Sequence, residues 1–232
     1  MAVWASINTM SIACFFVLSL APGTAAAATS FSARGNEPNW HVEVTDAGIS
    51  FKAMDAQAFT ISPKPEAQVT SDSETYLASV DGQPFTLTIK DKLCIDTMSG
   101  MPFPKTVAVE LGERKYTGCG GDPASLLRGN WSIEQIAGRA VLAESHPTID
   151  FGDGQISGNG SCNRYFGSYA LTGESMKISG LGSSMMACDQ PLMEQEALLL
   201  GILGETSRFE INPDGRLVVH SASGKSVVAR RK

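Results

Sequence analysis

The segment Ile156–Tyr169 reads ISGNGSCNRYFGSY, and Met185-Met186-Ala187-Cys188 follows it downstream. One cysteine, Cys162, stands in a turn rich in glycine and asparagine. The other, Cys188, stands just ahead of a helical stretch. A cross-link between them ties the turn to the start of the helix. This pattern marks a structural framework before it marks a reaction centre.

Whether such a bridge forms depends on where the chain resides. The chain has 232 residues and opens with an apolar run, Ile12–Ala21, followed by small residues, Ala25–Ala28, that offer an A-x-A cleavage site. No Lys or Arg precedes the run, which is unusual for a signal peptide. The run falls short of the roughly 20 apolar residues that span a bilayer. An uncleaved anchor is the competing reading. Cys14 lies inside the run and lacks a Leu three positions earlier, so it is assigned to the removed segment rather than to a lipid attachment. We therefore expect a signal peptide over residues 1–28 and a periplasmic or secreted bacterial protein, with no membrane span after cleavage.

Export leaves four cysteines: Cys94, Cys119, Cys162 and Cys188. An even number outside the cytosol points to disulfides. Four cysteines allow three connectivities. If the chain forms two domains, the sequence-local pairs are Cys94–Cys119 and Cys162–Cys188. Each closes a loop of about 25 residues, a constraint of about 3–4 kcal/mol in the chain-entropy model. Zinc sites usually show close pairs such as C-x-x-C, and none is present; no metal or other cofactor is expected.

Residues 29–123 carry 8 basic and 13 acidic side chains, and residues 124–232 carry 10 and 11. Neither half has the basic surplus that counterion release requires for nucleic-acid binding. Arg230-Arg231-Lys232 reads as a solvated tail.

Short alternating runs fill the first half: Trp40–Val44 and Ile49–Phe51 around Asp46-Ala47-Gly48, Tyr76–Val80 and Phe85–Ile89 around Asp81-Gly82, and Thr106–Leu111 and Arg114–Tyr116 around Gly112-Glu113. Asp-Gly pairs supply the positive φ angles of tight hairpins. The Gly118–Pro123 stretch marks a boundary. Further strands are expected near Gly129–Ile136, with Trp131, Ile133 and Ile136 inward, and over Thr148–Phe151, Gln155–Gly158, Tyr165–Leu171 and Ser175–Ile178. A helix follows from Asp189 to Leu203. Asp189 is placed as its N-cap and Pro191 in its first turn, and Glu194 and Glu196 suit the positive helix start. Leu192, Met193, Ala197, Leu200 and Leu203 form its expected apolar face. Arg208–Ile211, Leu217–His220 and Ser226–Ala229 end the chain as strands.

The motifs of the second half fall in one order: Gly129-x-Trp131, Pro147-x-Ile149-x-Phe151, Ile156-Ser157-Gly158, Cys162-Asn163-Arg164-Tyr165, Gly167-x-Tyr169, Ile178–Leu181 and Met186-Ala187-Cys188. Together they resemble the META domain, the family of the HslJ-type bacterial heat-shock proteins. Ser184-Met185 stand where that family often has Thr followed by Arg or Lys. The first half, through Phe31-x-Ala33-x-Gly35-Asn36-Glu37-Pro38-Asn39-Trp40, Cys94-x-Asp96-x-Met98-Ser99-Gly100, Pro102–Pro104 and Tyr116-x-Gly118-Cys119-Gly120, resembles another exported bacterial family that often accompanies META domains. Asn39 replaces the aromatic usual before the Trp. The META resemblance implies a cracked β-barrel interrupted by a helix, a shape shared with a lipid-binding type III secretion pilot protein. It also implies an envelope or stress-related role and no established enzyme activity. The expected fold is thus mainly β (α+β), with two small antiparallel domains: residues 29–123, and a cracked barrel over residues 124–232.

Catalytic groupings do not emerge. His41, His146 and His220 lack a G-x-S-x-G partner, because Gly158-Asn159-Gly160-Ser161 has the wrong spacing. Met98, Met101, Met185 and Met186 suit Cu(I) as soft thioethers, and equally suit core filling. Glu37, Asp96 and Asp122 are candidate carboxylates for glycoside hydrolysis, with solvated turn residues as the plainer reading. Asn163 and Arg164 are a candidate recognition pair; the alternative is local wiring, with Asn163 on backbone groups and Arg164 paired to Asp150 or Asp189. Trp131, Phe151, Tyr165, Leu192 and Leu200 are candidate walls for an apolar ligand in the barrel mouth, or else core. The leading expectation is a non-enzymatic envelope protein with an apolar small molecule or an envelope protein as partner. An acidic protein inhibitor of lysozyme and an enzyme of unknown class are the alternatives. The sequence does not set the oligomeric state.

Overall fold

The computed structural model describes Met1 and residues 30–232. The apolar run Ile12–Ala21, the cleavage candidate Ala25–Ala28 and Cys14 lie outside the described residues. Among the described residues no helix is long and apolar enough to cross a membrane.

Period-two alternation builds the first sheet. Its strands are β1 (Phe31–Asn36), β2 (Asn39–Val44), β3 (Ile49–Ala53), β4 (Ala56–Ile61), β5 (Ala67–Val69), β6 (Ser73–Val80) and β7 (Gln83–Lys90). A short pair follows, β8 (Cys94–Ile95) with β9 (Pro102–Phe103), and then β10 (Lys105–Leu111) and β11 (Arg114–Gly120). Nine strands run antiparallel in the order β4-β3-β2-β1-β11-β10-β7-β6-β5 and curve into a half-barrel. The concave face buries Trp40, Val42, Phe51, Phe85, Leu87, Val107 and Tyr116. Asp81 and Gly82 both take positive φ between β6 and β7, as the hairpin requires. Gly118–Gly120, placed at a boundary by composition, instead continue β11.

The second sheet begins after a one-turn helix, α1 (Ala124–Leu127). It comprises β12 (Gly129–Ile136), β13 (Arg139–Ala140), β14 (Thr148–Phe151), β15 (Gln155–Asn159), β16 (Arg164–Leu171) and β17 (Met176–Ser183). After the helix α2 (Gln190–Gly204) come β18 (Thr206–Ile211), β19 (Leu217–Ser221) and β20 (Ser226–Arg231). The order β17-β16-β15-β14-β12-β20-β19-β18 makes a nearly closed barrel, with α2 inserted between its two edge strands. The fold is therefore mainly β, as expected from the alternation and from the family resemblance.

Helix α2 turns a different face inward from the one its apolar spacing suggested. Glu196, Leu199, Ile202 and Leu203 are buried, whereas Met193 and Ala197 are exposed. Apolar residues occupy several faces of this helix, so spacing alone does not fix its rotation. Nor does the Asp189 side chain cap it; the Asp189 backbone carbonyl accepts from Leu192 and Met193. The C-terminal arginines also differ from a solvated tail: Arg231 lies over the Trp131 ring at 4.4 Å and donates to the Leu126 and Arg128 carbonyls.

Two bridges staple the strands, Cys94–Cys119 and Cys162–Cys188, with Cα separations of 5.4 and 6.0 Å. The first holds the β8–β9 pair, whose Phe103, together with Met101 and Cys119, packs into the core of the second sheet rather than the first.

Candidate functional site

The family motif converges on one buried carboxylate. The turn after β15 closes when Gly160 N–H donates to the Asn163 carbonyl at 2.7 Å and Ser161 N–H donates to Asn159 Oδ1 at 2.9 Å. Into it, α2 projects Glu196. Its Oε2 accepts the backbone N–H groups of Cys162 at 3.1 Å and Asn163 at 2.6 Å, and its Oε1 accepts Asn163 Nδ2 at 2.8 Å. A Cβ on Gly160 would stand 2.6 Å from Glu196 Oε2, so only glycine lets the helix approach this closely. Asn163 Oδ1 then accepts Ser184 Oγ at 2.8 Å and Met186 N–H at 2.7 Å. Neighbouring Gln195 donates to Ser145 and Ser161 and accepts from Leu142 N–H. Three loops are thereby fastened to one face of α2. From the sequence Glu196 was read only as a carboxylate suited to the helix start, and Gln195 was not singled out; instead Glu196 lies beyond the first turn and is buried. The signal available was a Gln-Glu pair inside an apolar helix, which reads equally as a solvated edge.

The residues proposed for ligand contact separate into two sets. Trp131, Phe151 and Tyr165 are members of the barrel core, each no more than 2 % exposed. Burial, reinforced by the nearby Asp150 charge, pushes the Tyr165 phenol far above its ordinary value. Its hydroxyl donates to the Thr148 carbonyl at 2.8 Å. Leu192 and Leu200 are half-buried on α2. Asn163 is buried within the network above, and Arg164 is exposed. Arg164 pairs with neither Asp150 nor Asp189; Asp150 accepts from Asn130 instead.

In the first half, the quoted motif pieces also meet. Trp40 Nε1 donates to the Thr117 carbonyl at 3.2 Å, and its indole crosses Gly35, where a Cβ would lie 2.2 Å from Trp40 Nε1. Asn36 donates to Asp96 Oδ2 at 3.2 Å, while Asp96 Oδ1 accepts Ser99 N–H at 2.8 Å, Ser99 Oγ at 2.9 Å and Met98 N–H at 3.1 Å. Burial opposes ionisation of Asp96, but these hydrogen bonds outweigh it and hold the carboxyl below its ordinary range. Asp96 is thus a turn-organising residue. Among the described residues no group of three or more His, Cys, Asp or Glu is placed to hold a metal ion.

Cavities open where the two sheets meet. One of about 560 Å³ is lined by Arg34, Asn36, His41, Asp96, Thr172 and Glu174, among others. An adjoining one of about 330 Å³ shares Arg34 and His41 and reaches Phe103 and Cys119.

With this geometry in place, comparison with known proteins identifies the second sheet and its helix. The META domain family model matches residues 124–232. The barrel, the inserted helix and the Cys162–Cys188 bridge all lie inside this META segment. An NMR structure of a protein from Burkholderia xenovorans is 26% identical over 47% of this chain and 86% of that chain, with a TM-score of 0.40. A second NMR structure is 24% identical over 47% of this chain and 93% of that chain, with a TM-score of 0.39. No curated protein matches the chain.

Proposed function

We propose that the protein is a non-catalytic, exported envelope protein of the META type that acts by binding. The observation that carries this reading is the use made of the motif's polar groups. Asn163 and Glu196 are engaged with backbone and with each other, and Cys162 and Cys188 are bridged. A nucleophile must lie within reach of an oriented base to react, and these groups hold loops instead. The packing of Trp131, Phe151 and Tyr165 supports a core role for them, and the proposed binding surface is accordingly the outer face and the inter-sheet cleft rather than the barrel mouth. The two bridges support an oxidising compartment.

Fractionation of the producing bacterium, followed by non-reducing peptide mapping, tests the proposal. Recovery from the periplasm or medium with Cys94–Cys119 and Cys162–Cys188 intact is the expected result. Recovery from the cytosol with free thiols overturns it.

A further inference from the structure

Cross-strand register places three nitrogen-bearing side chains in one row on the outer face of the first sheet. Arg34 on β1 pairs with His41 on β2, and His41 pairs with Lys52 on β3. Their chain neighbours Ala33, Gly35, Trp40, Val42, Phe51 and Ala53 are buried, so the three point outward. Adjacent strands lie about 4.8 Å apart, so the row spans about 10 Å.

Arg34 and Lys52 thus stand two strands apart on this face, with His41 between them. Here no carboxylate lies within ion-pairing distance of Arg34, His41 or Lys52 among the described residues. The acids around the cleft are placed otherwise. Asp96 is saturated by Asn36, Ser99 and Met98, and Asp122 Oδ1 accepts Ala124 N–H. Glu43 stands two residues along β2 on the same face, and Glu174 stands on the opposite rim. Among the described residues Arg34 and Lys52 therefore make no ion pair, with Glu43 and Glu174 as the nearby carboxylates.

Arg34 is also positioned. Its Nη2 donates to the Gly173 carbonyl of the META domain at 3.2 Å, and its guanidinium carbon lies 5.6 Å from the Phe103 ring centroid. Arg34 also lines both cavities of the cleft. A third cavity, of about 460 Å³, is lined by His41 and Lys52, so His41 borders the cavities on both sides of it.

We propose that this row binds a ligand bearing two or more phosphate groups, with Arg34 as the fixed forked donor and Lys52 as the distal charge. The planar guanidinium matches phosphate oxygens in a bidentate manner, and the ammonium serves as a point charge. The inference deepens the binding reading and rests on it.

The full bridged chain, labelled with ¹⁵N, is titrated with tripolyphosphate and, separately, incubated with phosphatidylcholine vesicles with and without cardiolipin, a lipid with two phosphates. Tripolyphosphate is expected to shift the amides of Arg34, His41, Lys52 and Gly173. Arg34→Gln and Lys52→Gln are each expected to weaken binding about tenfold, the effect of losing one charged hydrogen bond. Lys225→Gln, a surface charge change elsewhere, is expected to leave it unchanged. Tripolyphosphate binding identifies a soluble phosphate ligand; binding to cardiolipin vesicles alone, lost in Arg34→Gln, identifies a lipid headgroup with two phosphates. Absence of binding to either probe, or equal loss in Lys225→Gln, overturns the proposal. Such failure leaves export and bridge formation, tested by fractionation, unaffected.

Discussion

Glu196 on α2 accepts the backbone N–H of Asn163 at 2.6 Å, across 33 residues of sequence. Through this one contact the inserted helix holds the turn that carries Cys162, and through the Asn163 side chain it holds the Met186 backbone. Met185 and Met186 consequently face solvent while their backbone is fixed.

Removing the carboxylate leaves two backbone donors and one amide donor unsatisfied in a buried site. Glu196→Ala is expected to destabilise the protein by about 2–4 kcal/mol. Glu196→Gln, which keeps one acceptor oxygen but presents an NH₂ group to donors, is expected to fall between it and the natural protein. Midpoints of urea unfolding at unchanged slope measure both.

Gly160→Ala puts a methyl group 2.6 Å from Glu196 Oε2, and overpacking of this kind costs about 1–3 kcal/mol. Its effect shares a cause with that of Glu196→Ala. The double variant is therefore expected to be less destabilised than the sum of the two single ones, which a double-mutant cycle reads directly.

Asp96 supplies an acid-limb prediction. Its folded pKa lies below the ordinary value of 3.8. Its contribution is therefore fully present above that value and is lost as pH falls through the folded pKa. The Tm of the natural protein is expected to drop more steeply than that of Asp96→Asn on acidification from about pH 5 to about pH 2, the range over which carboxylates protonate. Equal slopes in differential scanning calorimetry would refute this assignment.

The Cys94–Cys119 bridge holds a strand pair that packs against the other sheet. Replacing both cysteines by Ser is expected to cost about 3 kcal/mol. It is also expected to raise hydrogen exchange in β18 and around Trp131, in the META domain, although both cysteines precede it. Replacing Cys162 and Cys188 by Ser is expected to cost a similar amount while leaving exchange in β2 and β3 unchanged.

Hairpins were legible in the sequence because their determinants are local. Trp40–Val44 against Ile49–Phe51 and Tyr76–Val80 against Phe85–Ile89 alternate with period two around turn residues that accept positive φ. Strand β4 and the β8–β9 pair were not, since neither alternates cleanly: β4 lies on a sheet edge, and β8 and β9 have two residues each. In the site, Cys162, Asn163 and Cys188 stood out by residue type and spacing. Glu196 did not, because a carboxylate near a helix start is ordinarily solvated and nothing in α2 itself tells the buried face from the exposed one.

What the sequence determined by itself was the β-rich class, the principal hairpins, the inserted helix and the four cysteines, Cys94, Cys119, Cys162 and Cys188, placed to pair. Each follows from dihedral preference and burial period within a few neighbouring residues. What only the tertiary structure decided was the rotation of α2 that drives Glu196 inward, the passage of Phe103 into the core of the second sheet, and the register that aligns Arg34, His41 and Lys52. These depend on which distant strand or helix occupies the neighbouring position, and the free energy of that packing is shared among residues far apart in the chain.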